Sequence, residues 1–263
     1  MGGWGNRLRV RQAIHLRDLL SELIARDFKL RYHRSYLGVG WSLLRPLSQL
    51  LVFLFLFGSV MPLGIPHYTT FLVSGVLVWA WFGGAVSGAS VSVTGNPELV
   101  RRPGFPVQIL PVLIVVGEGI HFLVALPLLI LVAWIDLRTI SVAIVALPLV
   151  MFVQAVFTLS LSYVLAATHV RFRDTQDAAN IAMMLAFYLT PVFYNPRLVA
   201  ERFGGILWFN PMSHVLQGYR TILIDGDFPD FAALGVVLLI SLVVMAFGIW
   251  IFERQSAGFV EEL

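Results

Sequence analysis

Six long apolar stretches dominate the 263-residue sequence, and each approaches the length at which a helix crosses a bilayer. They occupy residues 41–61, 70–93, 107–134, 139–167, 178–194 and 231–252. The chain is 58% apolar and only 13% charged, and a soluble domain of this size cannot bury so much apolar surface. We therefore predict an all-α integral membrane protein with six transmembrane helices, and not a soluble enzyme, a nucleic-acid binder or a disordered chain.

Basic residues are distributed unevenly over the segments that join these stretches. If both termini share one face with the 94–106 and 168–177 loops, that face carries fourteen of the eighteen Arg and Lys residues. The other face carries Arg138, Arg197, Arg202 and Arg220. The positive-inside rule assigns the richer face to the cytoplasm. We therefore expect both termini to be cytoplasmic.

Residues 1–35 are the least apolar part of the chain and precede a six-span domain at residues 36–263. Between His15 and Tyr32, apolar residues recur at three- and four-residue steps, as on an amphipathic helix. Such a helix fits a membrane surface, with basic side chains near lipid phosphates and its apolar stripe in the lipid. A helix docked on a partner protein explains the same pattern.

A seventh apolar segment, residues 204–209, is too short to cross a bilayer and is followed by Asn210 and Pro211. It lies between the fifth and sixth predicted spans, on the face with few basic residues. This arrangement predicts periplasmic re-entrant or interfacial helices, which membrane proteins tolerate where the backbone is covered by protein.

Several catalytic chemistries are excluded by the residues that are missing. Lys29 is the only lysine and lies between Phe28 and Leu30, so the chain has no P-loop for ATP. Cysteine is absent, and the Glu118-x-x-His121 spacing of di-metal bundles lacks the further acidic residues that such sites need. We expect no catalytic residue, no metal site and no cofactor on this chain.

Two charged residues near or within the spans allow two interpretations each. Glu118 lies near the middle of the third span and either bridges helices through a hydrogen bond or faces a translocation path. Arg45 lies near the cytoplasmic interface. It either anchors the first span or holds an anionic lipid headgroup.

The loop from Asn96 to Pro106 joins the second and third spans and contains a short helical centre bounded by prolines. It is either a plain basic connector or a coupling helix that docks a cytoplasmic partner. Aromatic residues near the outer ends of the second and fifth spans are equally ambiguous. They suit a membrane-interface belt, and they also suit the apolar faces of sugars.

Four motifs occur in a fixed order along the six spans. The first joins Arg31-Tyr32 to the Leu-Gly-x-x-Trp run at 37–41 and Pro46-Leu47, and the second is residues 99–106, which end in Phe-Pro. The third is Phe-Arg-Asp at 172–174, after Arg171, and the fourth pairs Thr190-Pro191-Val192-Phe193-Tyr194 with Asn210-Pro211-Met212. Together they resemble the membrane subunits of ABC-2-type polysaccharide exporters, which export O-antigen, teichoic acid and capsule-type glycans.

The resemblance implies a half-transporter of the bacterial inner membrane that is not itself an enzyme. Two copies would form the pore, and two separate ABC ATPase subunits would bind ATP and Mg²⁺ below it. The substrate would be a polysaccharide on a polyprenyl-pyrophosphate carrier, reaching the pore from membrane lipid through a lateral opening. No nucleic acid is implied as a partner.

The resemblance also suggests roles for particular residues. ATPase coupling would involve Asn96, Glu98, Leu99, Arg101, Arg102 and Phe105. Contact with the lipid pyrophosphate would involve Arg31, Arg34, Tyr36 and Arg45. The translocation path would include Trp79, Trp81, Phe82, Glu118, Tyr188, Phe193 and Tyr194. Arg171, Arg173 and Asp174 would form a functional cytoplasmic loop.

Two other functions remain open from the sequence. An ABC-2 exporter of a small lipid or drug would differ only in its substrate. An ion-coupled transporter that uses Glu118 would work in vesicles without any ATPase. A membrane-embedded enzyme is disfavoured because the spans lack clustered His, Asp and Glu residues.

Overall fold

The computed structural model describes residues 16–29, 33, 35–36, 38, 40–139, 141–196, 204–256 and 258–262. These residues form helices, turns and loops, without a β-strand among them. The α-helices are α1 (16–29), α2 (Gly40–Phe53), α3 (Tyr68–Ser90), α4 (Pro97–Val100), α5 (Ile109–Leu137), α6 (Leu147–Arg171), α7 (Thr175–Leu189), α8 (Pro211–Arg220), α9 (Phe231–Ser256) and α10 (Phe259–Glu262). π-Helical turns follow α2 at Leu54–Val60 and α8 at Thr221–Asp225, and 3₁₀ turns cover Val142–Ala146 and Gly204–Phe209.

Four helical segments of the described chain are long and apolar enough to cross a membrane. They are α3, α5, α9 and the continuous segment Val142–Arg171, which contains α6. They coincide with the second, third, fourth and sixth predicted spans. The apolar part of the first predicted span, Leu44–Val60, is shorter, and α7 has only 15 residues. The six-span arrangement therefore stays a prediction.

Near two prolines, a helix begins or ends several residues away from the limit predicted from the sequence. The fifth predicted span reaches residue 194, but α7 ends at Leu189 because a proline at 191 disfavours helical backbone at Thr190, which is extended. The fourth predicted span begins at residue 139, but α6 begins at Leu147 with Pro148 in its first turn. A proline is tolerated there because the first N–H groups of a helix have no partner within the helix.

The larger apolar core surrounds α3, most of whose residues are buried. Trp81 of α3 stacks on Phe122 of α5, with ring centroids 5.2 Å apart. A Cβ atom on Gly119 would lie 3.2 Å from the Trp81 ring, so glycine lets the two helices approach closely. Between α3, α6 and α8, the buried Gln154 amide donates to the Val78 carbonyl (3.0 Å) and accepts from the Tyr219 hydroxyl (2.8 Å).

A second core occupies one end of the bundle, where α3, α6 and α9 finish and α5 begins; we call this the α4 end. It joins Leu23 of α1 to Leu99 and Val100 of α4 and to Phe252 and Phe259 near the C-terminus. The apolar stripe of the amphipathic helix therefore contacts this chain's own core through Leu23. The opposite end of the bundle contains α8, and we call it the α8 end.

Candidate docking surface and translocation groove

The α4 turn is held by apolar side chains and presents charged ones. Leu99 and Val100 are buried in the second core, at 7% and 5% exposure. Glu98, Arg101 and Arg102 are exposed. A single helical turn has little stability of its own. The two buried side chains therefore fix the position from which the charged ones project.

Loop contacts on both sides of α4 keep it compact. The Asn96 amide donates to the Ser92 carbonyl (2.9 Å), and Phe105 is half-buried against the second core. Gly104 has a φ of +77°, a left-handed conformation that favours glycine in the turn before Phe105. The coupling residues predicted from the sequence thus form one surface, in which Leu99 and Phe105 face inward.

The predicted cytoplasmic loop lies at the same end. Arg171 ends α6, and Arg173 and Asp174 precede α7; all three are exposed. The Arg171 guanidinium lies 5.8 Å from the centroid of the Phe172 ring. The α4 end therefore carries exposed charge on two separate loops.

A groove of about 350 Å³ lies between α2, α3 and α7, and we call it the α2–α7 groove. Gln49 of α2, Trp79, Gly83 and Gly84 of α3, and Met183, Met184, Phe187 and Tyr188 of α7 are among the residues that line it. Two of the predicted path residues, Trp79 and Tyr188, line this groove. Phe187 belongs to the aromatic residues noted in the sequence near the outer end of the fifth span, but it was not among the predicted path residues. The two methionines were not predicted at all, although they lie on the same helix as Tyr188.

Phe193 joins the end of this groove to α2 and its π-helical turn. Its ring centroid lies 5.4 Å from that of Phe53, 5.7 Å from that of Phe57 and 5.8 Å from that of Phe187. Tyr194 packs edge-on against Phe193 at 5.3 Å. The predicted path residues Phe193 and Tyr194 therefore belong to an aromatic cluster beside the groove.

The other three predicted path residues lie elsewhere. The Trp81 indole N–H donates to the Val115 carbonyl (3.1 Å), and Phe82 stacks on Phe157 in the core at 5.5 Å. Trp81 and Glu118 line a separate pocket of about 40 Å³. The Glu118 carboxylate lies 3.4 Å from the His121 ring nitrogen. In the described residues, no group of three His, Cys, Asp or Glu side chains could hold a metal ion.

Glu118 nevertheless lies close to the α2–α7 groove. A Cβ atom on Gly84, which lines the groove, would lie 3.3 Å from the Glu118 carboxylate oxygen. The carboxylate is therefore behind the groove wall, against a glycine. The Phe28 ring of α1 packs against His121 at 5.1 Å, which brings the N-terminal helix to the same site.

Of the four residues predicted to contact a lipid pyrophosphate, the structure describes two. Arg31 and Arg34 lie outside the described residues. Tyr36 and Arg45 are exposed, Arg45 on the second turn of α2. The structure thus leaves both of these side chains accessible from the surroundings.

The fourth motif is joined by side-chain hydrogen bonds at the α8 end. The Asn210 amide donates to the Thr190 hydroxyl (2.8 Å), and its carbonyl oxygen accepts from the Met212 N–H (3.0 Å). Asn210 therefore caps α8 and holds the turn that follows α7. The two halves of this motif, 20 residues apart, form a single structural unit.

Arg220 completes this unit from inside the protein, with 3% exposure. Its guanidinium donates to the carbonyls of Pro191 (2.6 Å), Val192 (2.8 Å) and Phe71 (3.2 Å). It also lies 3.3 Å from the centroid of the Phe71 ring, a cation–π contact. Burial lowers the pKa of Arg220 to about 9, so the guanidinium keeps its charge at pH 7.

In the sequence, Arg220 stands out only as one of four basic residues on the less basic face. A lone arginine at the end of a helix gives no sequence signal of such a role. Gly75 supplies the space, because a Cβ atom there would overlap the Val192 carbonyl oxygen and lie 2.9 Å from the Arg220 guanidinium. Arg220 thus fastens the turn after α7 to α3.

Comparison with known proteins identifies similar membrane proteins. The profile of the ABC-2 type transporter family matches residues 18–224. The O-antigen export system permease protein RfbA of Myxococcus xanthus is 32% identical over 97% of this chain and 98% of its own length. The RfbA permease of Klebsiella pneumoniae is 29% identical over 95% and 96% of the two chains. The polysialic acid transport protein KpsM of Escherichia coli is 22% identical over 89% and 92%.

Proposed function

The chain belongs to the ABC-2 type transporter family, and on that premise we propose that it is the membrane subunit of an ATP-driven polysaccharide exporter. The observation that carries the proposal is the α4 turn. Its buried Leu99 and Val100 fix a surface of exposed Glu98, Arg101 and Arg102. Such a surface suits a protein partner, because electrostatic complementarity fixes orientation and partner choice.

The partner we propose is a separate ABC ATPase, in two copies. The chain has one lysine, Lys29, and it lacks the glycine-rich sequence of a P-loop. ATP and Mg²⁺ would therefore bind to the partner subunits. The α4 turn would receive their movement and pass it to α3 and α5, the two helices that it connects.

A second copy of the chain would complete the pore. The α2–α7 groove is lined in part by the exposed Met184 and Tyr188 of α7. The helical segment 40–60, whose Gln49 lines the groove, also exposes the apolar side chains of Leu51 and Phe55. Apolar and aromatic side chains of this kind suit an interface core or the apolar faces of sugars. Two such grooves facing each other would enclose a wider path than one chain can.

The substrate we propose is a polysaccharide carried on a polyprenyl pyrophosphate. The sequence relatives named for O-antigen export support the polysaccharide. The exposed Arg45 at the start of α2 supports an anionic headgroup. Both termini and the α4 end would lie in the cytoplasm, as the uneven distribution of basic residues favours. An exporter of a small lipid or drug is the second candidate, and the apolar lining of the α2–α7 groove is what favours it.

Transport by purified components tests this function. The chain and its ATPase are reconstituted in proteoliposomes with a lipid-linked O-antigen-type glycan, and glycan crossing the membrane is measured with and without ATP. We expect glycan crossing only when ATP and the ATPase are both present. Crossing without the ATPase would favour an ion-coupled transporter using Glu118, and ATP-driven crossing of lipid alone would favour the small-lipid exporter.

A matched pair of variants tests the α4 surface in the same complex. Arg101→Glu with Arg102→Glu reverses two exposed charges at the α4 end, and we expect it to abolish co-purification of the ATPase. Arg138→Glu changes an exposed arginine at the α8 end and serves as the control. Retention of the ATPase by the double variant, or its loss in the control alone, would contradict docking at α4.

A further inference from the structure

A second large cavity lies at the α8 end, away from the α2–α7 groove. It has a volume of about 480 Å³ and lies between the start of α8 and the first three turns of α9; we call it the α8–α9 groove. Its size is within the range of about 300–1,000 Å³ that is typical of small-molecule sites. The transport function proposed above does not use this groove.

The wall of the groove that α9 forms is apolar and continues into the exposed face of that helix. Ala233, Val236 and Ile240 of α9 line the groove, and Phe209 flanks it. Further along α9, Leu239 and Val243 are 65% and 71% exposed. Because α9 is the most apolar of the spanning-length helices and the least buried, we expect this face to contact lipid chains. The groove would then open into the hydrocarbon region of the bilayer.

The groove is polar at the end where α9 begins. His214 of α8 and Asp230, directly before α9, are its two polar lining residues. One Asp230 carboxylate oxygen accepts the N–H groups of Ala232 (2.9 Å) and Ala233 (3.0 Å), and the residue is exposed. The helix N-terminus thus fixes the carboxylate where α9 begins. If α9 spans the bilayer, its first residues lie near the lipid headgroups.

A groove with one polar end and one apolar end suits an amphipathic ligand, whose polar group would lie at the polar end. Water does not fill an apolar groove well, because it finds too few hydrogen-bond partners there. A fixed carboxylate attracts an ammonium group and repels a free anionic headgroup. We propose that the α8–α9 groove binds one phospholipid with an ethanolamine headgroup, its acyl chain along α9 and its ammonium group at Asp230.

Native mass spectrometry of the full-length chain tests this site. The detergent-purified chain is titrated separately with phosphatidylethanolamine and phosphatidylglycerol of identical acyl chains. We expect the ethanolamine lipid to bind about two- to fivefold more tightly, the range for a partly exposed ion pair. Asp230→Asn keeps a side chain that caps a helix but removes the charge, and we expect it to abolish this preference. Equal binding of both lipids by the unchanged chain would overturn the proposal.

Filling the groove tests the position of the acyl chain. Ala233→Trp and the milder Val236→Trp place an indole in the groove, and we expect either to remove the tightest lipid-binding event. Ala246→Trp makes the same change on an exposed position of α9 beyond the groove and is the matched control. Unchanged lipid binding in Val236→Trp would overturn the proposal. A change confined to the dimer fraction would instead assign the groove to a contact between copies.

Discussion

At the α4 end, charged side chains are exposed and apolar side chains are buried beneath them. At the α8 end, by contrast, polar side chains point into the protein. Glu98, Arg101 and Arg102 are exposed above Leu99 and Val100. At the α8 end, Asn210 and the buried Arg220 hold the turn after α7 through three side-chain hydrogen bonds, and a fourth joins Arg220 to the Phe71 carbonyl of α3.

This difference separates two reasons why a membrane protein can contain a polar motif. A charged side chain in water contributes little to stability but can select a partner. A buried guanidinium must be paired within the protein, and removing it leaves carbonyl groups without a donor. We therefore expect changes at the α8 end to lower the stability of the isolated chain, and charge changes at the α4 end to affect assembly.

The largest effect is expected from Arg220→Met. The buried carbonyls of Pro191 and Val192 would lose the Arg220 guanidinium as their donor, at a cost of about 3 kcal/mol or more in the free energy of unfolding. The Phe71 carbonyl would also lose Arg220 but would keep the Ser74 hydroxyl as a donor. Thermal unfolding of the purified chain in detergent measures the change. Arg138→Met removes an exposed arginine at the same end and is expected to be nearly neutral. Equal losses in the two variants would contradict the role of Arg220.

A smaller effect is expected from Gly75→Ala. Replacing glycine by alanine within a helix usually stabilises by about 0.5–1 kcal/mol. Here the added Cβ would overlap the Val192 carbonyl oxygen, so we expect destabilisation by about 1–3 kcal/mol.

Gly117→Ala in α5 is the matched control for Gly75→Ala, because a Cβ atom there meets nothing within 4 Å in the described structure. We expect the two variants to shift the unfolding temperature in opposite directions. A stabilising Gly75→Ala would show that Arg220 and the turn at 190–192 approach α3 less closely than described.

Asn210→Ala should cost less again, about 1 kcal/mol, because it removes one helix cap and one bond to Thr190. Asn210→Ser keeps a side chain that can cap the helix, but the serine side chain is too short to reach Thr190. We expect the unfolding temperature to be highest for the unchanged chain, lower for Asn210→Ser and lowest for Asn210→Ala. If the serine variant were as unstable as alanine, the bond to Thr190 would outweigh the cap.

The smallest effect on stability is expected from the α4 charge reversal, Arg101→Glu with Arg102→Glu. Exposed substitutions usually change the unfolding free energy by less than about 0.5 kcal/mol. Leu99→Ala sharpens the contrast, because it removes a buried anchor of the same turn and should destabilise the second core. Measurable unfolding by the charge reversal would show that these arginines hold the fold.

The sequence predicts the helical membrane class because apolar length alone requires it, and four of its six spans have helices of spanning length. Residue 189 as the end of α7 was also predictable, since the residue before a proline avoids helical backbone. Helix geometry also explains why the aromatic residues predicted for the path do not all line the groove. Trp79 and Trp81 are two positions apart on α3, so their side chains point to nearly opposite sides, and only Trp79 lines the groove.

The contacts of Arg220 were not predictable in this way. They depend on three backbone carbonyls that lie up to 149 residues from Arg220 in the sequence, and on the absence of a side chain at Gly75. A backbone carbonyl carries no information about its residue type. No pattern in the sequence could therefore mark the turn at 190–192 and α3 as the partners of this side chain.

The two ends are compared most directly by measuring unfolding temperature and ATPase co-purification together in two variants. We predict that Arg101→Glu with Arg102→Glu unfolds at the temperature of the unchanged chain but no longer retains the ATPase. We predict that Arg220→Met unfolds at a clearly lower temperature, while molecules that remain folded still retain the ATPase. The reverse pattern, with a destabilised α4 variant that retains the ATPase, would contradict the assignment of docking to one end and internal fastening to the other.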